Sequence, residues 1–141
     1  MTEQKILVVD DERNIRRSLD MILSGEGYGV TCASSGQEGL DALEQEPADA
    51  VLLDIVMPGM NGIEVLQKMR QDHPGLAVIM ISGRGTVQDA VQATRLGAYD
   101  FLEKPLSREK VLLAVSHAME TTELAEENRS LRQQIEGRFE M

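Results

Sequence analysis

Three aspartates, Asp10, Asp11 and Asp54, stand directly after short apolar runs, Ile6-Leu7-Val8-Val9 and Ala50-Val51-Leu52-Leu53. Runs of that length suit fully buried strands, so the acids fall where a sheet ends and its loops begin. If the two strands are neighbours, three negative charges converge. Carboxylates that close raise one another's pKa or require a counter-cation, and an all-oxygen cluster suits a hard cation such as Mg²⁺. Two more polar residues hold equivalent places: Ser82 follows Val78-Ile79-Met80-Ile81, and Lys104 follows Tyr99-Asp100-Phe101-Leu102-Glu103. Acid pair, acid, hydroxyl and ammonium at four strand ends describe a place for a metal and a phosphoryl group. The carboxylates would hold the cation, one carboxylate would act as nucleophile, and Ser82 and Lys104 would bind the transferred oxygens. Each residue alone has a plainer use. Asp10 or Asp11 could cap a helix beginning near Glu12, Ser82 could serve a turn, Lys104-Pro105 a loop, and Asp54 could be a solvated loop acid. Their conjunction is what points to chemistry.

Positioning these residues requires strands that end together. Strand patterns cover Lys5–Val9, Gly29–Ala33, Ala50–Leu53, Ala77–Ile81 and Ala98–Glu103. Helical spacing appears between them at Ile15, Leu19, Ile22 and Leu23, more weakly at Leu40 and Leu43, then at Ile63, Leu66 and Met69, and at Val87, Ala90, Val91 and Thr94. Glycine and proline clusters separate the elements. Strand-helix repetition predicts a doubly wound α/β fold of five parallel strands joined by right-handed crossovers, with helices on both faces; the order 2-1-3-4-5 is taken over from one common type of such sheets. Ligands in such sheets bind beyond the carboxyl ends where strand order reverses, and the first and third strands flank that point.

The 141 residues allow one domain plus an appendage, and 42% apolar content is enough for a core. No apolar run approaches a membrane span, and no signal-peptide stretch precedes the first strand, which predicts a soluble cytoplasmic chain. A net charge of −10 opposes contact with nucleic acid or anionic lipid. The four rings, Tyr28, Tyr99, Phe101 and Phe139, offer no base-stacking platform. Cys32 is the single cysteine, in a strand pattern with no histidine nearby, and reads as a small packing residue.

From Ser107 to about Glu136 there is neither glycine nor proline, which predicts one extended C-terminal helix. Leu112, Val115 and Met119 would pack on the domain. Beyond them Leu124, Asn128, Leu131 and Ile135 recur at four-three-four spacing, which fits either a short parallel coiled coil or a solvated helical linker. The chain thus divides into a domain over 1–118 and a helical segment over 119–141.

Ile6-Leu7-Val8-Val9-Asp10-Asp11-Glu12, Leu53-Asp54-Ile55-Val56-Met57-Pro58-Gly59-Met60-Asn61-Gly62, Ser82-Gly83 and Lys104-Pro105 together resemble the receiver domain of two-component response regulators, over roughly residues 4 to 118. The resemblance implies the flavodoxin-like receiver fold and makes Asp54 the acceptor of a phosphoryl group from a histidine kinase. It implies Mg²⁺ ligation by Asp11, Asp54 and the backbone carbonyl of Val56, with Asp10 assisting through water. Ser82 and Lys104 would bind phosphoryl oxygens, and the Lys104-Pro105 peptide would be cis. Ser82 and Phe101 would form the switch, where many members carry threonine and tyrosine. Output would pass through the face formed by Thr86–Ala118.

Ser82-Gly83-Arg84-Gly85-Thr86, Gly97-Ala98-Tyr99-Asp100-Phe101-Leu102 and the tail Glu127-Asn128-Arg129-Ser130-Leu131-Arg132 resemble the NtrC-like subgroup of sigma-54 activators. In that subgroup such a linker leads to an ATPase domain. No Walker A loop occurs in the chain, so it is expected to be the regulatory piece of a longer protein, with a homodimer formed through the Thr86–Ala118 face and the C-terminal helix. Haloacid-dehalogenase-type phosphatases share an aspartate nucleophile and Mg²⁺, but they need an acid two residues after it, where this chain has Val56. A dinucleotide site would need glycines where Asp10-Asp11-Glu12 stands.

Overall fold

The computed structural model describes residues 4–83 and 87–120. In chain order the elements are β1 (Lys5–Val9), α1 (Arg13–Gly25), β2 (Gly29–Ala33), α2 (Gly36–Gln45), β3 (Ala50–Asp54), α3 (Gly62–Asp72), β4 (Ala77–Ser82), α4 (Val87–Arg95) and β5 (Asp100–Glu103). A final helix, α5, runs over residues 108–120. The five strands are parallel, as the strand-helix repetition predicts, and ordered β2-β1-β3-β4-β5, the order expected of the doubly wound type. The expected coiled-coil segment, 121–141, lies outside the described residues, as do Arg84, Gly85 and Thr86.

Strand pleating sorts the apolar side chains into two cores. Leu7, Val9, Val51, Leu53, Val78 and Met80 face one layer, where they meet Leu43, Val65, Leu66, Met69 and Ala93 from α2, α3 and α4. Ile6, Val8, Leu52, Ile79 and Ile81 face the other, against Leu19 and Leu23 of α1 and Val111, Val115 and Met119 of α5. Burial on both faces explains why β1, β3 and β4 are apolar without alternation.

Register then fixes the site. Val9 pairs with Leu53, so Asp10 and Asp54 leave adjacent strands at one level. Asp54 pairs with Ile81 and Ser82 with Glu103, which brings Ser82 and Lys104 to the same edge one step further out.

Several local expectations shift. β5 begins at Asp100 rather than Ala98, because Ala98 N–H closes the end of α4 on Ala93 O. In α4 part of the expected stripe does not face inward: Ala93 is fully buried and Ala90 half-buried, while Thr94 is exposed and Val91 is 45% exposed. A nine-residue helix whose inward residue is an alanine carries too weak an apolar contrast to fix its rotation from sequence. The helix after the acid pair starts at Arg13 with Glu12 as its cap residue, and no side chain caps it. Asn61 does cap α3, its Oδ1 accepting from Glu64 N–H at 3.0 Å, and Ser35 caps α2 in the same way.

Gly62 allows α3 to begin directly beneath the end of β3. Its N–H donates to Ile55 O at 2.8 Å, and an added Cβ would collide with the Asp54 carbonyl oxygen and lie 2.6 Å from Ile55 Cα. Both obstacles are backbone. Gly62→Ala is therefore expected to cost about 2 kcal/mol or more in urea unfolding. Gly25→Ala, where a Cβ meets nothing within 4 Å, should be neutral or stabilise by roughly 0.5 kcal/mol. Equal midpoints for the two variants would refute this packing.

Candidate functional site

The acid pair is inside the protein on one side and at its surface on the other. Asp10 has no exposed surface and Asp54 is 3% exposed, whereas Asp11 is exposed. One carboxylate oxygen from each lies within 4.8 Å of the others. Sequence spacing predicts this convergence, and the β1–β3 register produces it.

Lys104 closes the cluster. Its Nζ lies 3.0 Å from Asp10 Oδ2, 3.5 Å from Asp54 Oδ2 and 3.6 Å from Glu12 Oε1. The cis Lys104–Pro105 peptide follows β5, and Lys104 N–H donates to Ser82 O at 2.7 Å. Ser82 is buried at the end of β4. Pleating separates these residues by face. Asp10 and Asp54 continue the series of Val8 and Leu52 toward α1 and α5, and Lys104 reaches that side as Leu102 does. Ser82 continues Val78 and Met80 toward α3 and α4, the side on which half-buried Phe101 packs. All four strands reach one edge, but the acids and the ammonium share a face that Ser82 and Phe101 do not.

The two oxygens of Asp54 differ in their surroundings. Oδ1 accepts from Val56 N–H at 3.3 Å and Oδ2 faces Lys104. Burial first, and then the charge of Asp10, raise the Asp54 pKa from 3.8 to about 6 against the opposing effect of Lys104 and the Val56 amide. The Lys104 pKa is depressed by its own burial, but contact with Asp10 and the charges of Asp54 and Glu12 outweigh this and leave it above its ordinary value. Asp10 Oδ1 accepts from Glu12 N–H at 2.9 Å, so Asp10 also does the turn work expected of an aspartate before a helix. Its other oxygen, Oδ2, is buried and has no hydrogen-bond partner among the described residues; Lys104 approaches it as an ion pair without hydrogen-bond alignment.

A hard cation fits this donor set. Three carboxylates offer convergent oxygens, and one of them is buried and unsatisfied. Val56, expected to contribute its carbonyl, lies beside the cluster with its side chain half exposed. Glu12 was not singled out from sequence for its own side chain, although its place after two aspartates put a third acid within reach of any cation there. Gly62 likewise read only as turn punctuation.

The response regulator receiver domain family matches residues 6–116. A Rickettsia bellii protein described as an NtrX-like response regulator is 37% identical over 138 residues, covering 96% of this chain and 29% of that protein. The transcriptional regulatory protein FixJ of Bradyrhizobium diazoefficiens is 36% identical over 137 residues, covering 97% of this chain and 67% of FixJ. The crystal structure of NtrX from Brucella abortus superposes with a TM-score of 0.88 at 40% identity, over 93% of this chain and 30% of that one. The chain therefore spans only 29% to 30% of the first NtrX-like relatives it matches.

In metal-free protein the folded Asp54 holds its proton to about pH 6, while the unfolded chain releases it near 3.8. The folded state binds more protons across that window, so stability falls as pH rises through it. A shift of this size corresponds to about 3 kcal/mol at neutral pH. Asp54→Asn cannot ionise and is expected to melt about 5 °C or more above wild type at pH 7.5 without Mg²⁺, the gap closing near pH 4. A variant that melts at or below wild type at pH 7.5 would show that no such electrostatic conflict exists.

Proposed function

The chain belongs to the response regulator receiver domain family, and on that premise we propose that Asp54 accepts a phosphoryl group from the phosphohistidine of a partner kinase. The observation that carries this reading is a buried carboxylate with a raised pKa, one oxygen held by a backbone amide and the other facing an ammonium. At neutral pH Asp54 is ionised yet poorly solvated, which keeps it nucleophilic. Its oxygen attacks phosphorus, the P–N bond to the kinase imidazole breaks as the P–O bond forms, and the product is an acyl phosphate. Mg²⁺, held by Asp11, Asp54 and the Val56 carbonyl with Asp10 behind them, would supply the positive charge that lets an anionic carboxylate meet an anionic phosphoryl group.

Lys104 already sits over Asp54 Oδ2, so a phosphoryl oxygen arriving there exchanges one anionic partner of the ammonium for another. The Ser82 hydroxyl would take a second oxygen from the opposite face of the sheet edge. Movement of Ser82 toward the site would free space on the α3 and α4 side for the Phe101 ring, which packs there. The chain acts on itself in this reading, as a signalling device rather than an enzyme with a separate substrate.

Similarity to NtrX-like proteins supports placing the domain at the head of an NtrC-like regulator, with a histidine kinase as partner in the cytoplasm and a sigma-54-activating ATPase downstream. The output surface is the Thr86–Ala118 face. Among the described residues five large hydrophobics are exposed, and three of them, Val91, Tyr99 and Leu113, lie on α4, before β5 and on α5, within that face. Dimerisation through it and the C-terminal helix would be set by the phosphorylation state. Within the described residues no helix is long and apolar enough to cross a membrane.

Intact mass after incubation with acetyl phosphate and MgCl₂ is expected to show one added phosphoryl group on wild type and none on Asp54→Ala; equal labelling of both would exclude Asp54 as acceptor. For the output, sedimentation with beryllofluoride and Mg²⁺ should change self-association of wild type and not of a Val91→Glu/Leu113→Glu double variant. An unchanged wild type would rule out phosphorylation-gated dimerisation by this chain.

A further inference from the structure

We infer that Arg16 is a positioning residue for the acid pair, holding the Asp10–Asp11 peptide so that the exposed Asp11 carboxylate meets the buried ones. The inference rests on the proposed cation site and adds to it a residue that touches neither metal nor phosphoryl group.

The first turn of α1 is built against its own electrostatics. Arg13, Arg16 and Arg17 stand at its N-terminal end, and the first turn contains no acid. Cations at that end oppose the helix dipole, and Glu12 provides no side-chain cap. Such a local conflict is expected where a residue serves something other than its helix. For Arg16 the structure shows what that is. Its guanidinium Nη1 reaches back six residues and donates to the backbone carbonyl of Asp10 at 2.8 Å.

Three bonds then fix Asp10: its N–H donates to Ala33 O at 3.1 Å, its Oδ1 accepts from Glu12 N–H, and its carbonyl accepts from Arg16. Planarity of the peptide means that holding this carbonyl also sets the orientation of the Asp11 N–H and the point from which Asp11 departs. Asp10 and Asp54 are placed by buried strands, but Asp11 is exposed in the loop beyond β1. Its alignment with the other two rests on that peptide plane.

Charge and position predict opposite results, which makes the role testable. A guanidinium bonded to the Asp10 carbonyl adds positive charge beside the acid pair, so if Arg16 acted only through charge, its removal would tighten Mg²⁺ binding. If it acts by holding the peptide, removal weakens binding, by about tenfold, the lower end of the scale for residues that orient metal ligands. The experiment is a two-dimensional NMR titration of ¹⁵N-labelled protein with MgCl₂, without phosphodonor, on wild type, Arg16→Ala and Arg16→Lys. Thermal melting is followed in parallel. Arg16→Lys keeps the charge and an N–H donor but not the rigid guanidinium fork; Arg16→Ala is expected to weaken Mg²⁺ binding and to shift the Asp11 amide in the metal-free spectrum, with Arg16→Lys recovering part of both. Unchanged or tighter binding by Arg16→Ala, even with a lowered melting point, would overturn the positioning role and leave a structural one. If Arg16→Ala does not fold, Arg16→Lys decides alone: affinity and Asp11 amide shift identical to wild type would overturn the inference. Wild type that binds no Mg²⁺ would instead refute the cation site on which the inference rests.

Discussion

Two buried carboxylates and one ammonium form the interaction on which the rest of the site depends. Asp10 and Asp54 are carried into the protein by the buried apolar runs Ile6-Leu7-Val8-Val9 and Ala50-Val51-Leu52-Leu53, and a buried like-charged pair is tolerated only with a counter-charge. Lys104 supplies it, 3.0 and 3.5 Å away, but one positive charge between two negative ones leaves the cluster short of cation. The shortage is visible at Asp54, which is harder to ionise than an ordinary aspartate, and at Asp10 Oδ2, which is buried and meets Lys104 as an ion pair without hydrogen-bond alignment. Such a donor set suits a hard divalent cation, and the same conflict leaves Asp54 ionised at neutral pH without strong solvation. Structural stability and readiness to react are set against each other at one residue.

The sheet keeps that chemistry apart from its readout. Because pleating alternates the faces, acids and ammonium lie toward α1 and α5, whereas Ser82 and Phe101 lie toward α3 and α4. Ser82 is the residue whose backbone accepts from Lys104 N–H while its side chain belongs to the opposite layer. Among the described side chains of α4 one, Ala93, is fully buried, and Val91 turns outward. A helix attached by so little apolar surface is the element most easily moved by a small displacement beneath it.

Much of this was legible in the chain. Five strands and the arrival of Asp10, Asp11, Asp54, Ser82 and Lys104 at one edge follow from runs of apolar residues with polar residues directly behind them, while the strand order that makes the acids converge came from the known doubly wound type. Such runs are readable because a strand buried on both faces admits nothing polar until it ends. The parts that were not legible depend on weaker contrasts. The rotation of α4 turned on alanine against valine. The split of the site between two faces needed the register, since counting alternation requires knowing where each strand stops. The use of Gly62 required knowing that α3 begins against the backbone of Asp54. The bond from Arg16 to the Asp10 carbonyl spans a strand-to-helix turn whose geometry no residue pattern announces.

Aspartate before a helix and aspartate in a metal site are commonly treated as competing explanations, and Asp10 shows why they need not be. One oxygen bonds Glu12 N–H and shapes the turn into α1, and the other points into the cluster. The turn is what directs the second oxygen, because a carboxylate free to rotate would relieve repulsion from Asp54 by turning toward solvent. Holding Oδ1 on a backbone amide removes that escape and keeps the charge facing its neighbour. The local structural role is therefore the means by which the fold maintains an electrostatically unfavourable arrangement, and it is that arrangement, more than the number of acids, that distinguishes this strand end from an ordinary helix start.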